Sequence, residues 1–324
     1  VYKRQDWWKA DYPVLTNVTW PGRIPFFAHS SGTTTGQSKN IPYTRAMRRA
    51  AVKGFLDLLC FHFQHRPGST LLGGSVLALT GPAQLARHGN EAQSGAVSAI
   101  TLAAVPALLR NRVLPPPEIA KIPDWNQKIR QLAEIAPGRN VRFLGGSPNW
   151  MLIFLEEVAR RHGGDRLIRW FPDLELIVHG GVNFSPYKDR FSQLLEGSRA
   201  ESREMYSASE GIFAVADRFS GEGVRLILDG TVFFEFVPIE ELGTAAPRRH
   251  WIGNVERDQD YAVVISTASG LWSYELEDVI RFVDLDPPRV VVVGRTGQGL
   301  SAFGEHLIDA EIAESVAASA RELG

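Results

Sequence analysis

Apolar positions along the chain recur with two periods, and the two alternate. From Thr44 to about Phe63 the residues Ala46, Ala50, Ala51, Phe55, Leu58 and Leu59 fall at near-helical spacing, which predicts an amphipathic helix. Short runs rich in branched residues, Leu71-Leu72, Val76–Leu79, Val141–Leu144 and Leu174–Val178, predict buried strands. Trp125–Ile135 and Pro148–Arg160 predict helices around the third of these, and another helix starts near Pro186. Two of the strands run straight into glycine turns, Gly145-Gly146-Ser147 and His179-Gly180-Gly181-Val182-Asn183. The alternation predicts an α/β fold with helices packed on mixed sheets, and ligands in such folds sit at the carboxyl edges of the strands.

From Arg203 the texture changes to strand-like runs at 212–216, 224–228, 231–237, 262–266, 279–283 and 290–293. This predicts a strand-rich subdomain. A last amphipathic stretch from about Ile308 to Glu322 ends the chain. The organisation expected is a lead-in over 1–19, an α/β core over 20–202, a β-rich part over 203–296, and a hinge with the start of a truncated C-terminal domain over 297–324. No internal repeat or low-complexity tract is present.

Composition narrows the classes. With 324 residues, 44% hydrophobic and 22% charged, the chain is an ordinary globular protein large enough for more than one domain. Thirty-five basic and 36 acidic residues leave a net charge of -1, so no overall field favours nucleic acid or an anionic membrane as a partner. The single cysteine, Cys60, excludes an internal disulfide framework and fits the cytoplasm. The uncharged stretches Pro67–Ala86 and Ala92–Leu109 are broken by glycines, prolines and hydroxyl residues, which argues for core or a pocket wall over a membrane span. Ser98 in the second stretch, and Trp150 and Met151 at the start of a helix, are candidates for an acyl pocket, for which apolar walls with few polar anchors are required.

Candidate chemistry begins at Ser30-Ser31-Gly32-Thr33-Thr34-Thr35-Gly36-Gln37-Ser38-Lys39. Hydroxyls, backbone N–H groups and one lysine can surround phosphate oxygens, and Gly32 and Gly36 let the main chain approach closely. Three residues, not four, separate the glycines, and no lysine follows the second, so this is no Walker A loop. A plain polar turn is the alternative. A second candidate is Glu204-Met205-Tyr206-Ser207-Ala208-Ser209-Glu210-Gly211. There Glu210 can hold Mg²⁺ through one oxygen while phosphates supply others, Ser207 or Ser209 can contact phosphate, and Tyr206 can stack on a purine. A third is Gly270–Ile280, where Asp278 is expected to lead a strand as a ribose-binding carboxylate. A fourth, Gly294–Glu305, has the order G-x-x-G-x-G and is not a dinucleotide fingerprint.

Two rival sites are weaker. Ser209 as the nucleophile of a hydrolase elbow lacks the first glycine, and the residues after Gly211 look like strand where an elbow needs helix. Cys60, His62 and His65 lie close together but lack a partner motif for zinc.

Taken together, the four segments resemble the adenylate-forming superfamily, and specifically the auxin-responsive promoter family of acyl acid amido synthetases in its bacterial form. The resemblance covers the chain from about Trp20. It implies phosphate contacts from Ser30, Ser31, Thr33, Thr34 and Lys39, adenine near Gly181, Val182, Asn183 and Tyr206, Mg²⁺ at Glu210, and ribose at Asp278 with Arg295 nearby. The implied cofactors are ATP and Mg²⁺, and the implied substrates are a carboxylic acid and an amino acid. The reaction would be attack of the acid on the α-phosphorus of ATP, then displacement of AMP by the amine, with Lys39 and Glu210 as catalytic residues.

Two departures from the family qualify that expectation. Glu277 stands where the family has glycine before the ribose aspartate, and a positive φ there would be strained. A lysine from the C-terminal domain usually completes the adenylation site in the superfamily, and the chain ends about where that domain is expected. Very slow carboxylate-dependent ATP–pyrophosphate exchange is therefore expected, and a non-catalytic ATP- or acyl-binding module is the second reading.

Overall fold

The computed structural model describes residues 8–30, 39–81, 84–89, 92–218, 221–296, 300–302 and 305–307. The first half carries β1 (Phe26–His29), β2 (Asn40–Tyr43), α1 (Arg45–His65), β3 (Ser75–Ala78), β4 (Ala86–His88), β5 (Ala92–Gly95), α2 (Val97–Ala103), β6 (Val113–Leu114), α3 (Pro117–Ala120), α4 (Trp125–Ile135), β7 (Val141–Gly146), α5 (Pro148–His162), α6 (Leu167–Trp170), β8 (Leu176–His179) and α7 (Lys188–Leu195). The second half is strands: β9 (Glu201–Ala208), β10 (Gly211–Val215), β11 (Val224–Leu226), β12 (Val232–Pro238), β13 (Asp260–Thr267), β14 (Tyr274–Leu285), β15 (Pro288–Arg295), β16 (Leu300–Ala302) and β17 (Glu305–Leu307).

A large sheet runs β12-β13-β14-β15-β11-β10-β9-β8-β7-β3-β6, and a small one runs β2-β1-β5-β4. Strands β6, β3, β7, β8 and β9 pair in parallel, and from β9 onward pairing is antiparallel. The large sheet therefore passes through residue 202 without a break, because β9 closes the parallel half and opens the antiparallel half. Helix α1 covers one face through Leu58, which packs with Leu176, Val178 and Val215. Helices α4, α5 and α7 cover the other, around Leu144, Ile177, Phe154 and Phe191. Burial on both faces explains why Leu176–Val178 is continuously apolar.

Local chemistry sets the helix ends. Thr44 caps α1 by accepting from the Met47 N–H at 3.1 Å, and Asp124 caps α4 through Gln127, each satisfying an amide that has no partner inside the helix. Pro148 starts α5, and Gly163 at φ +68° ends it. The helices expected over 125–135 and from 148 form there, the second running on to His162.

Several expectations are corrected. Leu71-Leu72 is not strand but the start of a 3-10 turn, Leu71–Gly73, so the strand begins only at Ser75. The second uncharged stretch is not all core: after α2 it forms a 3-10 segment, Ala107–Arg112, with Leu108 89% exposed. Within the described part of the lead-in, Trp8 and Leu15 are buried with Ile24 and Phe27. Asp278 does not lead a strand but lies inside β14. No helix among the described residues is long and apolar enough to cross a membrane. The stretch expected to be helical from 308 lies outside the described residues.

Candidate nucleotide site

Strands β1 and β2 form an antiparallel pair with His29 opposite Asn40, so Ser30 and Lys39, the two ends of the hydroxyl-rich segment, lie side by side. Its base is closed by the Ser30 N–H donating to the Lys39 carbonyl at 2.9 Å and by the Lys39 N–H donating to Ser30 Oγ at 2.9 Å. Ser31, Gly32, Thr33, Thr34 and Gly36 lie outside the described residues. What the structure gives of this segment is its two anchors.

From its anchor Lys39 extends its ammonium to the Tyr274 hydroxyl, 3.2 Å away. The Glu210 carboxylate is near enough for its charge to act on the same hydroxyl. Tyr274 thus accepts from a lysine of the first segment and feels the charge of a carboxylate of the second, while belonging to the third. Burial and the Glu210 and Glu277 charges push its own pKa far above the ordinary phenol value. It stays neutral.

Glu210 sits in the turn between β9 and β10 and is 6% exposed. Burial pushes its carboxyl pKa up and the nearby Asp278 charge adds to the rise, while its own backbone N–H, Lys39 and Tyr274 oppose it. A buried anionic oxygen with too little compensating charge suits a hard cation, and Mg²⁺ typically takes one or two protein carboxylates and completes its shell with phosphates and water. Among the described residues no group of three His, Cys, Asp or Glu forms a ready cage, so Glu210 with substrate phosphates is the arrangement the donors fit. The neighbouring Ser209 hydroxyl donates to the His29 carbonyl at 2.9 Å, which ties this turn to the foot of the first loop. Ser207 lies on β9 opposite Ile212 of β10. Strand β10 follows directly, so the elbow geometry that a Ser209 nucleophile requires is not formed.

Asp278 is placed by an irregularity in β14. Against β13, Ala262 pairs with Val279 and Val264 with Glu275, so Val263 on one strand lies against Leu276, Glu277 and Asp278 on the other. The surplus forms a bulge, with Glu277 at φ +69°. Bulges re-aim side chains beside functional sites, and this one turns Asp278 toward Tyr206 and Arg295. The Tyr206 hydroxyl donates to Asp278 Oδ2 at 2.8 Å, and Arg295 Nε lies 3.2 Å from Oδ1. Burial raises the Asp278 pKa, and Tyr206 and Arg295 pull it back. Tyr206 itself is buried, edge-on to Phe213 with centroids 5.1 Å apart. What the structure gives of its role is the hydroxyl on Asp278.

Gly181, Val182 and Asn183 form the loop leaving β8, with Gly181 at φ +84° and Val182 42% exposed. The loop lies against β9 because Gly180 has no Cβ: one would sit 2.1 Å from the Met205 carbonyl oxygen. The acyl candidates lie on α2 and α5. Met151 is fully buried in the core under α5, Trp150 packs on Trp125 at 4.5 Å, and Ser98 is on α2. The zinc alternative dissolves too, since His62 bonds Glu201 and Ser69, and Cys60 is exposed. Tyr274 is the site residue that sequence reasoning passed over, although it stands four positions before Asp278 in the same segment.

Residues 13–133 match the GH3 family N-terminal domain and residues 225–295 the GH3 family central domain, together more than half of the chain. Among solved structures, AtGH3.15 acyl acid amido synthetase in complex with 2,4-DB is similar with a TM-score of 0.73 and 18% identity, over 91% of this chain and 60% of that one. An open conformation of 2-hydroxyisobutyryl-CoA ligase with 2-HIB-AMP and CoA gives 0.60 and 14%, over 94% and 65%. ATP-bound MatB from Rhodopseudomonas palustris gives 0.54 and 13%, over 88% and 51%. At these identities the likeness is one of fold. The chain spans about 60% of the length of the acyl acid amido synthetases it matches. With both family domains found in order on a fold shared with adenylate-forming enzymes, the chain belongs to the GH3 family.

Proposed function

We propose that this chain carries the nucleotide and acyl sites of an ATP-dependent ligase that activates a carboxylic acid as its adenylate and passes the acyl group to an amino acid. The observation that supports the reading most is the clustering of Lys39, Tyr274 and Glu210, in which Lys39 bonds the Tyr274 hydroxyl and the Glu210 charge acts on it, with the Tyr206–Asp278–Arg295 contacts alongside. It joins three segments that are far apart in sequence and that separately suit phosphate, metal and ribose.

In this reading the Ser30–Lys39 segment encloses the triphosphate, the Lys39 ammonium takes up charge on the departing pyrophosphate, and Asp278 accepts from the ribose hydroxyls. A magnesium ion at Glu210 would supply further charge neutralisation at the phosphates. The acid's carboxylate oxygen attacks the α-phosphorus, the bond to pyrophosphate breaks, and an amine later displaces AMP. No protein nucleophile is needed, because the difficulty lies in bringing two anions together, which calls for fixed positive groups and alignment.

ATP–pyrophosphate exchange that depends on an added carboxylic acid tests this. Lys39→Ala and Glu210→Ala should lower the exchange rate at least tenfold more than they lower ATP affinity, as loss of transition-state contacts does. ATP bound without exchange, whatever the acid, would leave the nucleotide-binding module, a reading that the positive φ of Glu277 favours.

A further inference from the structure

His179 ends β8 and is 1% exposed, and neither of its ring nitrogens has a hydrogen-bond partner. Buried polar atoms in folded proteins are nearly always paired, so an imidazole with two open positions calls for a partner. Its plane is fixed by Phe184, stacked at 3.8 Å between centroids and 14° between planes. Its neighbours across the sheet are Gly146 of β7 and Glu204 of β9.

Residues two apart on a strand share a face. Ile177 packs with the helices α4, α5 and α7, so His179 faces the same side. Its register partner Glu204 shares that face, and so does Tyr206, whose hydroxyl reaches Asp278. The imidazole is therefore on the face that leads to the nucleotide site. Three residues beyond Gly146, at the start of α5, Asn149 Oδ1 is a second buried polar atom without a partner.

We infer that His179 is a specificity-determining residue that receives an uncharged hydroxyl group on the acyl substrate, so that the acid this chain takes is a hydroxy acid. The inference rests on the acyl-adenylating reading above. Burial lowers the imidazole pKa to about 4, which leaves a neutral ring with one N–H and one lone pair at physiological pH. A hydroxyl complements either nitrogen. A second carboxylate on the substrate would meet Glu204, whose own pKa burial already raises, and no ion pair among the described residues offsets it. An ammonium would be drawn to Glu204 and not to His179.

The test is calorimetric binding to the full chain, with ATP titrated separately as a control for the nucleotide site. The acids are benzoate and its 2-, 3- and 4-hydroxy derivatives, and hexanoate with 6-hydroxyhexanoate, 6-aminohexanoate and adipate. In ¹⁵N-histidine spectra the His179 nitrogens, assigned by His179→Gln, report on the contact independently of turnover. The expected result is at least one hydroxy acid binding tenfold or more tighter than its parent and moving the His179 nitrogen signals. His179→Phe should abolish that preference while the parent acid still binds, and His179→Gln should retain part of it; thermal melts of both variants establish that they fold. Equal binding of parent and hydroxy acids with unmoved signals would overturn the inference, as would preference for the amino or dicarboxylic acid, or ATP binding with no acid bound at all. Failure to bind ATP would instead overturn the nucleotide-site reading beneath it.

Discussion

Glu277 and Glu210 show at the scale of single residues how the site opposes the stability of the fold. A non-glycine residue in the left-handed region costs about 1–2 kcal/mol, and Glu277 sits there at φ +69°. Glu277→Gly should raise the unfolding free energy by about 1 kcal/mol, read from urea melts, and an unchanged or lowered midpoint would show that the bulge is not strained. Glu210 acts through its charge. Its folded pKa is raised above the ordinary carboxylate value, mainly by burial, so between the unfolded and folded values the native state holds more protons and stability falls as pH rises. Glu210→Gln should remove that part of the decline and stabilise the unliganded protein by about 1 kcal/mol at pH 7. A variant less stable than the parent across pH 4–8 would mean that the carboxylate is already fully compensated.

Much of this site was legible in the sequence because its chemistry is concentrated in short segments. Lys39 and Glu210 end hydroxyl-rich runs, Arg295 opens a glycine-rich one and Asp278 follows an acidic run, so that side-chain type alone suggests a role. Tyr274 and His179 were not legible. An aromatic residue in an apolar alternation looks like core, and Tyr274 is core by burial; only the three-dimensional position of its hydroxyl brings it to Lys39 and within reach of the Glu210 charge. His179 differs from any strand-end histidine only in lacking partners, a property that no sequence pattern encodes.

At the scale of elements, α1 is fixed to the sheet at its far end by charge as well as by packing. His62 Nδ1 lies 2.7 Å and Arg203 Nε 2.6 Å from Glu201 Oε1, and Arg66 Nε lies 2.9 Å from Oε2. Burial would raise the Glu201 pKa, but His62 and Arg203 overcome it and hold the carboxyl down at about 2. A depressed carboxylate pKa stabilises above the unfolded value, and that contribution is lost as pH falls toward 2. Glu201→Gln should therefore flatten the acid limb of the stability profile and cost about 3–5 kcal/mol at neutral pH, because the fully buried Arg203 and His62 lose their shared carboxylate. A loss below 1 kcal/mol would show that the network is incidental to the attachment of α1. The elements themselves follow the apolar periods closely where the period is strong, as in α4. They depart where it is short: Leu71-Leu72 lacks the length to decide between strand and turn, and the bulge in β14 depends on pairing with β13.

Across the whole molecule the large sheet changes from parallel to antiparallel at β9, and the candidate site gathers where that change occurs. The change of texture near Arg203 is real in sequence but does not mark a gap in structure, because β9 pairs with β8 on one side and β10 on the other. The hairpin of the small sheet reaches this place through Ser209 and His29, and β14 reaches it through Tyr274 and Asp278. One binding site made from three distant segments is the central claim. Calorimetric titration of ATP, AMP and pyrophosphate with magnesium, on the unmodified chain, Lys39→Ala and Asp278→Asn, tests it most directly. ATP affinity should fall at least tenfold in both variants, pyrophosphate affinity only in Lys39→Ala, and AMP affinity only in Asp278→Asn; ATP affinity indifferent to both substitutions would contradict the claim.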